Sequence, residues 1–162
     1  MKDSIAVCPG SFDPITIGHL DIITRSSKMF NRVIVVVMSN MNKKNQSSFS
    51  VEERMAMIKS AVADIPNVEV DCYDGLLADY AARVGASAIV KGLRAVTDFE
   101  YEFQMALTNK KLNPNVETVF FTTSAENMYL SSSMVKQIAS MGGDISDFVP
   151  QAIHDEIIKR LK

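Results

Sequence analysis

The run Val33-Ile-Val-Val-Val-Met38 constrains this chain more than any other stretch. A β-branched segment with no polar alternation fits a strand covered on both faces, the condition of an interior strand in a parallel sheet. It falls far short of the roughly 20 apolar residues that a membrane-spanning helix needs. The spacing predicts a strand over Arg32–Met38, with further strands at Ser4–Cys8, Val68–Cys72, Ala88–Lys91 and Val116–Thr122. Helical spacing fills the intervals. Leu20, Ile23, Ser27 and Phe30 mark one stripe, and Val51, Met55, Ile58 and Val62 a second. Leu77, Ala81 and Val84 give a third, stopped by Gly85, and Phe99, Phe103 and Ala106 a fourth, ending before Pro114. Ser50-x-x-Glu53 and Thr97-x-x-Glu100 read as capping boxes at two helix starts. Two last helices are predicted over Ser131–Met141, before Gly142-Gly143, and Gln151–Leu161, after Pro150.

Strand–helix alternation of this kind predicts an α/β fold: a Rossmann-like, doubly wound, five-stranded parallel sheet with helices on both faces. The chain has 162 residues and shows no repeat, low-complexity tract or composition break, so residues 1–162 are read as a single domain. Seventeen Lys and Arg against 19 Asp and Glu leave a net charge of −2, too little field for a nucleic-acid surface. The start, Met1-Lys-Asp-Ser-Ile-Ala-Val7, lacks the long apolar centre of a signal peptide, and a cytoplasmic location is expected. Cys8 and Cys72 stand in apolar segments and are expected as buried free thiols.

Ligands of such sheets bind beyond the carboxyl ends of the strands. The residues that follow each predicted strand fit that rule. They are Pro9-Gly-Ser-Phe-Asp-Pro-Ile-Thr-Ile-Gly-His19, Ser39-Asn-Met-Asn-Lys-Lys44, Asp74-Gly-Leu-Leu77, Lys91-Gly-Leu-Arg94 and Ser124-Ala-Glu-Asn-Met-Tyr-Leu-Ser-Ser-Ser133. The chemically versatile side chains therefore converge on one sheet edge. Glycines stand only at positions 10, 18, 75, 85, 92, 142 and 143, so no G-x-G-x-x-G, Walker A or G-x-S-x-G motif can be written. In Thr16-Ile-Gly-His19, Gly18 permits close backbone approach and His19 opens a helix, whose first N–H groups favour an anion. Alone, a Gly-His pair is better explained by a histidine that caps or packs, and the Pro9–Pro14 segment just upstream moves the balance to function. The serine run Ser131–Ser133 is open in the same way between a helix cap and a phosphate site.

Pro9-Gly-Ser-Phe-Asp-Pro14 followed by Thr16-Ile-Gly-His19 resembles the (H/T)-x-G-H nucleotidylyltransferase superfamily. Lys91-Gly-Leu-Arg-Ala-Val-Thr-Asp-Phe-Glu-Tyr-Glu102 and Leu130-Ser-Ser-Ser-Met-Val-Lys136 narrow the resemblance to its phosphopantetheine adenylyltransferase family, over essentially the whole chain. That resemblance implies transfer of AMP from ATP to 4′-phosphopantetheine, giving dephospho-CoA and pyrophosphate by direct in-line attack. It implies His19, Lys43 and Arg94 as catalytic residues. ATP would meet Ser11, Phe12, His19, Gly92, Leu93, Arg94, Glu102, Asn127, Met128, Tyr129, Leu130, Ser131, Ser132 and Ser133. The acceptor would meet Ser11, Lys43, Leu77 and Lys91, although Leu77 fits a core position equally well. Mg²⁺ is expected to travel on the ATP phosphates, because no carboxylate cage is visible. The resemblance further implies a homohexamer and feedback binding of CoA in the same crevice.

Three positions depart from the family pattern. Lys91 stands where relatives usually carry Arg, Asn127 where they carry an aromatic, and the loop Asn40–Ser50 is about two residues longer. Two other readings stay open from sequence: a sister enzyme using nicotinamide mononucleotide or glycerol 3-phosphate, and a nucleotide-binding module without turnover.

Overall fold

A central strand whose every interior side chain is buried requires cover on both sides, and the computed structural model supplies it. The structure describes residues 3–39, 46–94 and 99–162. In chain order the elements are β1 (Ile5–Gly10), α1 (Ile17–Met29), β2 (Arg32–Met38), α2 (Val51–Ala61), β3 (Val68–Tyr73), α3 (Leu77–Val84), β4 (Ala88–Leu93), α4 (Phe99–Leu112), β5 (Glu117–Thr122), α5 (Ser132–Ser140) and α6 (His154–Leu161). The five strands are parallel and lie in the order β3-β2-β1-β4-β5. The chain winds outward from β1 through β2 to β3, then returns to the other side of β1 with β4. The switch point therefore falls between β1 and β4, where sheets of this kind open a crevice.

Alternate side chains of the sheet feed two cores. Val33, Val35 and Val37 join Ala6, Cys8 and Val90 under α1, α2, α5 and α6. Ile34 and Val36 join Val7, Ile89, Tyr80 and Ala81 on the α3 side. Two faces buried at once is what the unbroken Val33–Val37 run encodes, and these residues are at most 2% exposed. The Ser50 hydroxyl and Glu53 carboxylate form the predicted capping box of α2. Gly85 ends α3 at φ +69°, in the left-handed region that favours glycine. Thr97 and its capping box lie outside the described residues.

Two expectations need correction. Cys8 is a buried thiol, but Cys72 is exposed, because it stands at the carboxyl end of β3, an edge strand with a neighbour on one side only. The helical period of Phe99 and Phe103 is real, yet their rings are about half exposed, together with Tyr101, Leu107 and Leu112. α4 reaches the chain's own core chiefly through its flank against α3 and β5, with Asn109 its buried residue. No helix among the described residues is long and apolar enough to cross a membrane.

Candidate active site

A cavity of about 420 Å³ opens at the switch point, a size suited to a small organic ligand. Its floor is the end of β1, Cys8 to Gly10, with Val90 to Gly92 of β4. Its walls are the loop carrying Ser11 and Phe12, the first turn of α1, and the Asn127–Ser133 segment that leads into α5. Gly92 keeps one wall thin: a Cβ there would approach the Ile22 side chain to 3.2 Å.

His19 occupies the third position of α1, and Thr16 is the cap. The Thr16 hydroxyl accepts from the His19 N–H at 3.3 Å, and the Thr16 N–H donates to His19 Nδ1 at 3.0 Å. This is a capping box with imidazole in place of the usual Glu or Gln. Because Nδ1 accepts a backbone proton, the neutral ring must carry its own hydrogen on Nε2. Phe12, held at φ +47°, packs edge-on to the imidazole with ring centroids 5.0 Å apart. Burial, then the charges of Arg94 and Lys91, lower the His19 pKa to about 4. Without a ligand, the site thus holds a neutral ring with its N–H on Nε2 at physiological pH.

The sign of the pH effect follows. Since the folded value lies below the ordinary 6.5, the unfolded chain takes up the proton first. His19's contribution to stability is complete above about 6.5 and is lost as pH falls from there toward about 4. In an NMR titration of the ligand-free protein, the His19 ring should stay neutral, protonated on Nε2, down to about pH 5, with its midpoint near 4. A midpoint near 6.5 would contradict this assignment.

Cations and a helix end surround the donor. Arg94, just past β4, donates from Nη1 to the Leu130 carbonyl at 2.5 Å, one residue before the cap of α5. The Ser131 hydroxyl caps α5 through the Met134 N–H at 3.1 Å. Ser132 donates to the Pro14 carbonyl at 2.7 Å. First-turn N–H groups have no partner inside their own helix and favour an anion. Lys91 Nζ lies 3.5 Å from Glu102 Oε2, an ion pair that joins β4 to α4 across the cavity wall.

Of the residues singled out in the sequence, the cavity gathers Ser11, Phe12, His19, Lys91, Gly92, Arg94, Glu102, Asn127, Leu130, Ser131, Ser132 and Ser133. Leu77, Leu93, Met128 and Tyr129 do not line it. Leu77 packs on the α3 side of the sheet, opposite the cavity. Tyr129 is exposed, with its ring 6.2 Å from that of Phe148. Lys43 lies outside the described residues. Sequence reasoning left His19 open between a helix cap and a ligand donor, and the structure shows the cap, with Thr16 as its partner. That reasoning missed Thr123, which lines the cavity, and the buried residues Asp13 and Arg54. Arg54 Nη1 holds the Ser11 carbonyl at 2.8 Å and so braces the cavity loop from α2.

Comparison with known proteins matches residues 7–138 to the cytidylyltransferase-like family. A phosphopantetheine adenylyltransferase of Caldanaerobacter subterraneus subsp. tengcongensis is 55% identical, covering 98% of both chains. That of Clostridium tetani is 54% identical, covering 97% of both. The chain belongs to the phosphopantetheine adenylyltransferase family. Its fold extends further. A putative nicotinate-nucleotide adenylyltransferase of Vibrio parahaemolyticus superposes with a TM-score of 0.66 at 18% identity, covering 99% of this chain and 97% of that one. A bifunctional NMN adenylyltransferase/ADP ribose pyrophosphatase of Francisella tularensis gives 0.74 at 18% identity, over 96% of this chain and 49% of the other.

Proposed function

We propose that this chain transfers the adenylyl group of Mg–ATP to the phosphate of 4′-phosphopantetheine, forming dephospho-CoA and pyrophosphate. The observation that carries the reading is a cavity in which His19, its Nδ1 taken by the Thr16 N–H, stands with Arg94, Lys91 and the serine end of α5. The acceptor is a phosphate monoester, mostly dianionic near neutral pH because its second pKa is about 6. It is therefore already a nucleophile. Its oxygen forms a bond to the α-phosphorus in line with the bond to the β-phosphate, which breaks and leaves as pyrophosphate. No base and no covalent intermediate is needed, so positioning and charge stabilisation carry the catalysis.

His19 donates to an α-phosphate oxygen as negative charge grows there. Arg94 and the first turn of α5, with Ser131, Ser132 and Ser133, take the β- and γ-phosphates. Gly92, Glu102, Asn127 and Leu130 flank the nucleoside, and Leu93, Met128 and Tyr129 stand beyond the cavity wall, for the part of it that extends outward. Ser11, Lys91 and Lys43 take the acceptor phosphate. Among the described residues no cluster of His, Cys, Asp and Glu is built for a metal. Among the described residues Glu102 is the one carboxylate on the cavity wall, and Lys91 engages it. Mg²⁺ is thus read as part of the substrate, held by ATP's own oxygens.

Two wider readings rest on the family. CoA carries the pantetheine arm of the acceptor and the adenylate of the product, so it would compete for the same crevice as a feedback ligand. The half-exposed apolar residues of α4 support self-association as a homohexamer, which one sedimentation run would test. The cytoplasm is the expected location for such an enzyme.

The deciding assay is pyrophosphate release from Mg–ATP with phosphopantetheine, nicotinamide mononucleotide or glycerol 3-phosphate as acceptor. Turnover with phosphopantetheine is the expected result. Turnover with another acceptor alone would make this a sister enzyme, and ATP binding without turnover a binding module. Lys91→Arg offers a finer check. Restoring the planar fork should lower KM for phosphopantetheine roughly threefold to tenfold, with KM for ATP within about twofold. An unchanged acceptor KM would remove Lys91 from the acceptor site.

A further inference from the structure

We infer that Asp13 and Lys136 are a positioning pair that fixes the serine end of α5 against the loop carrying Ser11 and Phe12. The inference rests on the adenylyl-transfer reading and concerns two residues that do not line the cavity. Asp13 is 6% exposed, and its carboxylate gathers three separate stretches of chain. Oδ1 accepts the Phe49 N–H and Oδ2 the Ser48 N–H, each at 3.0 Å, from the segment leading into α2. Oδ2 also accepts from Lys136 Nζ at 2.8 Å, from the second turn of α5. One side chain thus ties the β1–α1 loop to elements on both sides of it.

Lys136 does not act alone on α5. Ser132 lies four residues earlier, on the same helix face, and donates to the Pro14 carbonyl at 2.7 Å. Two side chains one turn apart therefore hold residues 13 and 14. The apolar side of α5, Val135 and Ala139, is fully buried and already keeps the helix on the sheet. Such burial is non-directional and sets contact, not the exact endpoint of a helix. Charge-assisted bonds are directional, and here they determine where the first turn of α5 ends relative to His19. An in-line transfer feels that placement sharply, since a shift of about 1 Å can cost on the order of 10²-fold in rate. The pair should accordingly act on kcat more than on the affinity for either substrate.

The test compares Lys136→Met, Asp13→Asn and the double variant with the wild-type protein, by pyrophosphate release and thermal melting. Below its melting transition each single variant should lose roughly 30- to 100-fold in kcat, with both KM values within about threefold. The double variant should be no slower than the slower single variant, because the two residues form one link. Normal kcat with only a lower Tm would overturn the inference and leave a purely structural ion pair. A raised KM for one substrate with kcat unchanged would overturn it too, by making Lys136 a direct phosphate ligand. So would losses that multiply in the double variant. Removing one partner strands a buried charge and can impair folding. In that event the double variant, which strands none, must still show the kcat deficit, and full kcat there overturns the proposal. The wild type separates this question from the reaction itself. If it turns over only with another acceptor, the assigned substrate fails, and the same kcat ratios are then measured with that acceptor.

Discussion

His19→Ala should lower kcat by roughly 10²- to 10³-fold, the loss typical of removing one preorganised donor to a developing oxyanion. ATP affinity changes by no more than a few fold. The asymmetry comes from the ring's state. A neutral imidazole offers one N–H, fixed on Nε2 by the Thr16 N–H at 3.0 Å from Nδ1. It contributes most when charge accumulates on the α-phosphate oxygens, and less when the ground-state phosphates bind. A histidine carrying full positive charge would grip ATP in both states, and its loss would raise KM. The measurement is steady-state kinetics with a parallel binding titration. Equal losses in kcat and ATP affinity, or no loss in either, would refute the assigned role. Because His19 also caps α1 through Thr16, a melting curve belongs beside the kinetics. Losing a cap costs about 1 kcal/mol, which is too little to unfold the domain and mimic the kinetic effect.

The sheet was legible because burial on both faces leaves a periodic trace in the residues themselves. Val33–Val37 reads as an interior strand without any partner in view, and its neighbours follow from strand–helix alternation. The site was legible in outline, since a parallel sheet brings the residues after its strands to one edge whatever their spacing in sequence. Long-range polar links leave no such trace. Asp13 and Lys136 meet across 123 positions, and nothing local to either marks it as paired. Exposure was misread wherever it depends on cover rather than pattern. Cys72 was read as part of an apolar segment but stands among Glu69, Asp71 and Asp74 on an edge strand, and Phe99 and Phe103 have a core residue's spacing on a helix that turns them outward. Leu77 illustrates the same limit in reverse. Its strand-end position suggested the crevice, while its side chain packs with the opposite core.

Arg94→Ala should cost on the order of 10²- to 10³-fold in kcat/KM for ATP, through the clamp on the departing pyrophosphate. The guanidinium is anchored at the Leu130 carbonyl, 2.5 Å away, beside the first turn of α5. Two sources of positive potential, a full charge and a helix N-terminus, therefore face the same part of the cavity. The leaving group gains charge as its bond to the α-phosphorus breaks, so both kcat and ATP binding should suffer. That pattern separates Arg94 from His19, whose loss falls on kcat. Arg94→Lys should recover only part of the deficit, because an ammonium keeps the charge but cannot reach the backbone carbonyl and a phosphate with one rigid fork. A second readout is independent of turnover. Arg94 is one cause of the depressed His19 pKa, second to burial, so its removal should shift the His19 titration upward from about 4 while leaving it below 6.5. Unchanged kinetics would exclude Arg94 from the phosphate site. An unmoved titration would mean that its charge is not felt at the ring, and the two arms of the cavity would then act independently.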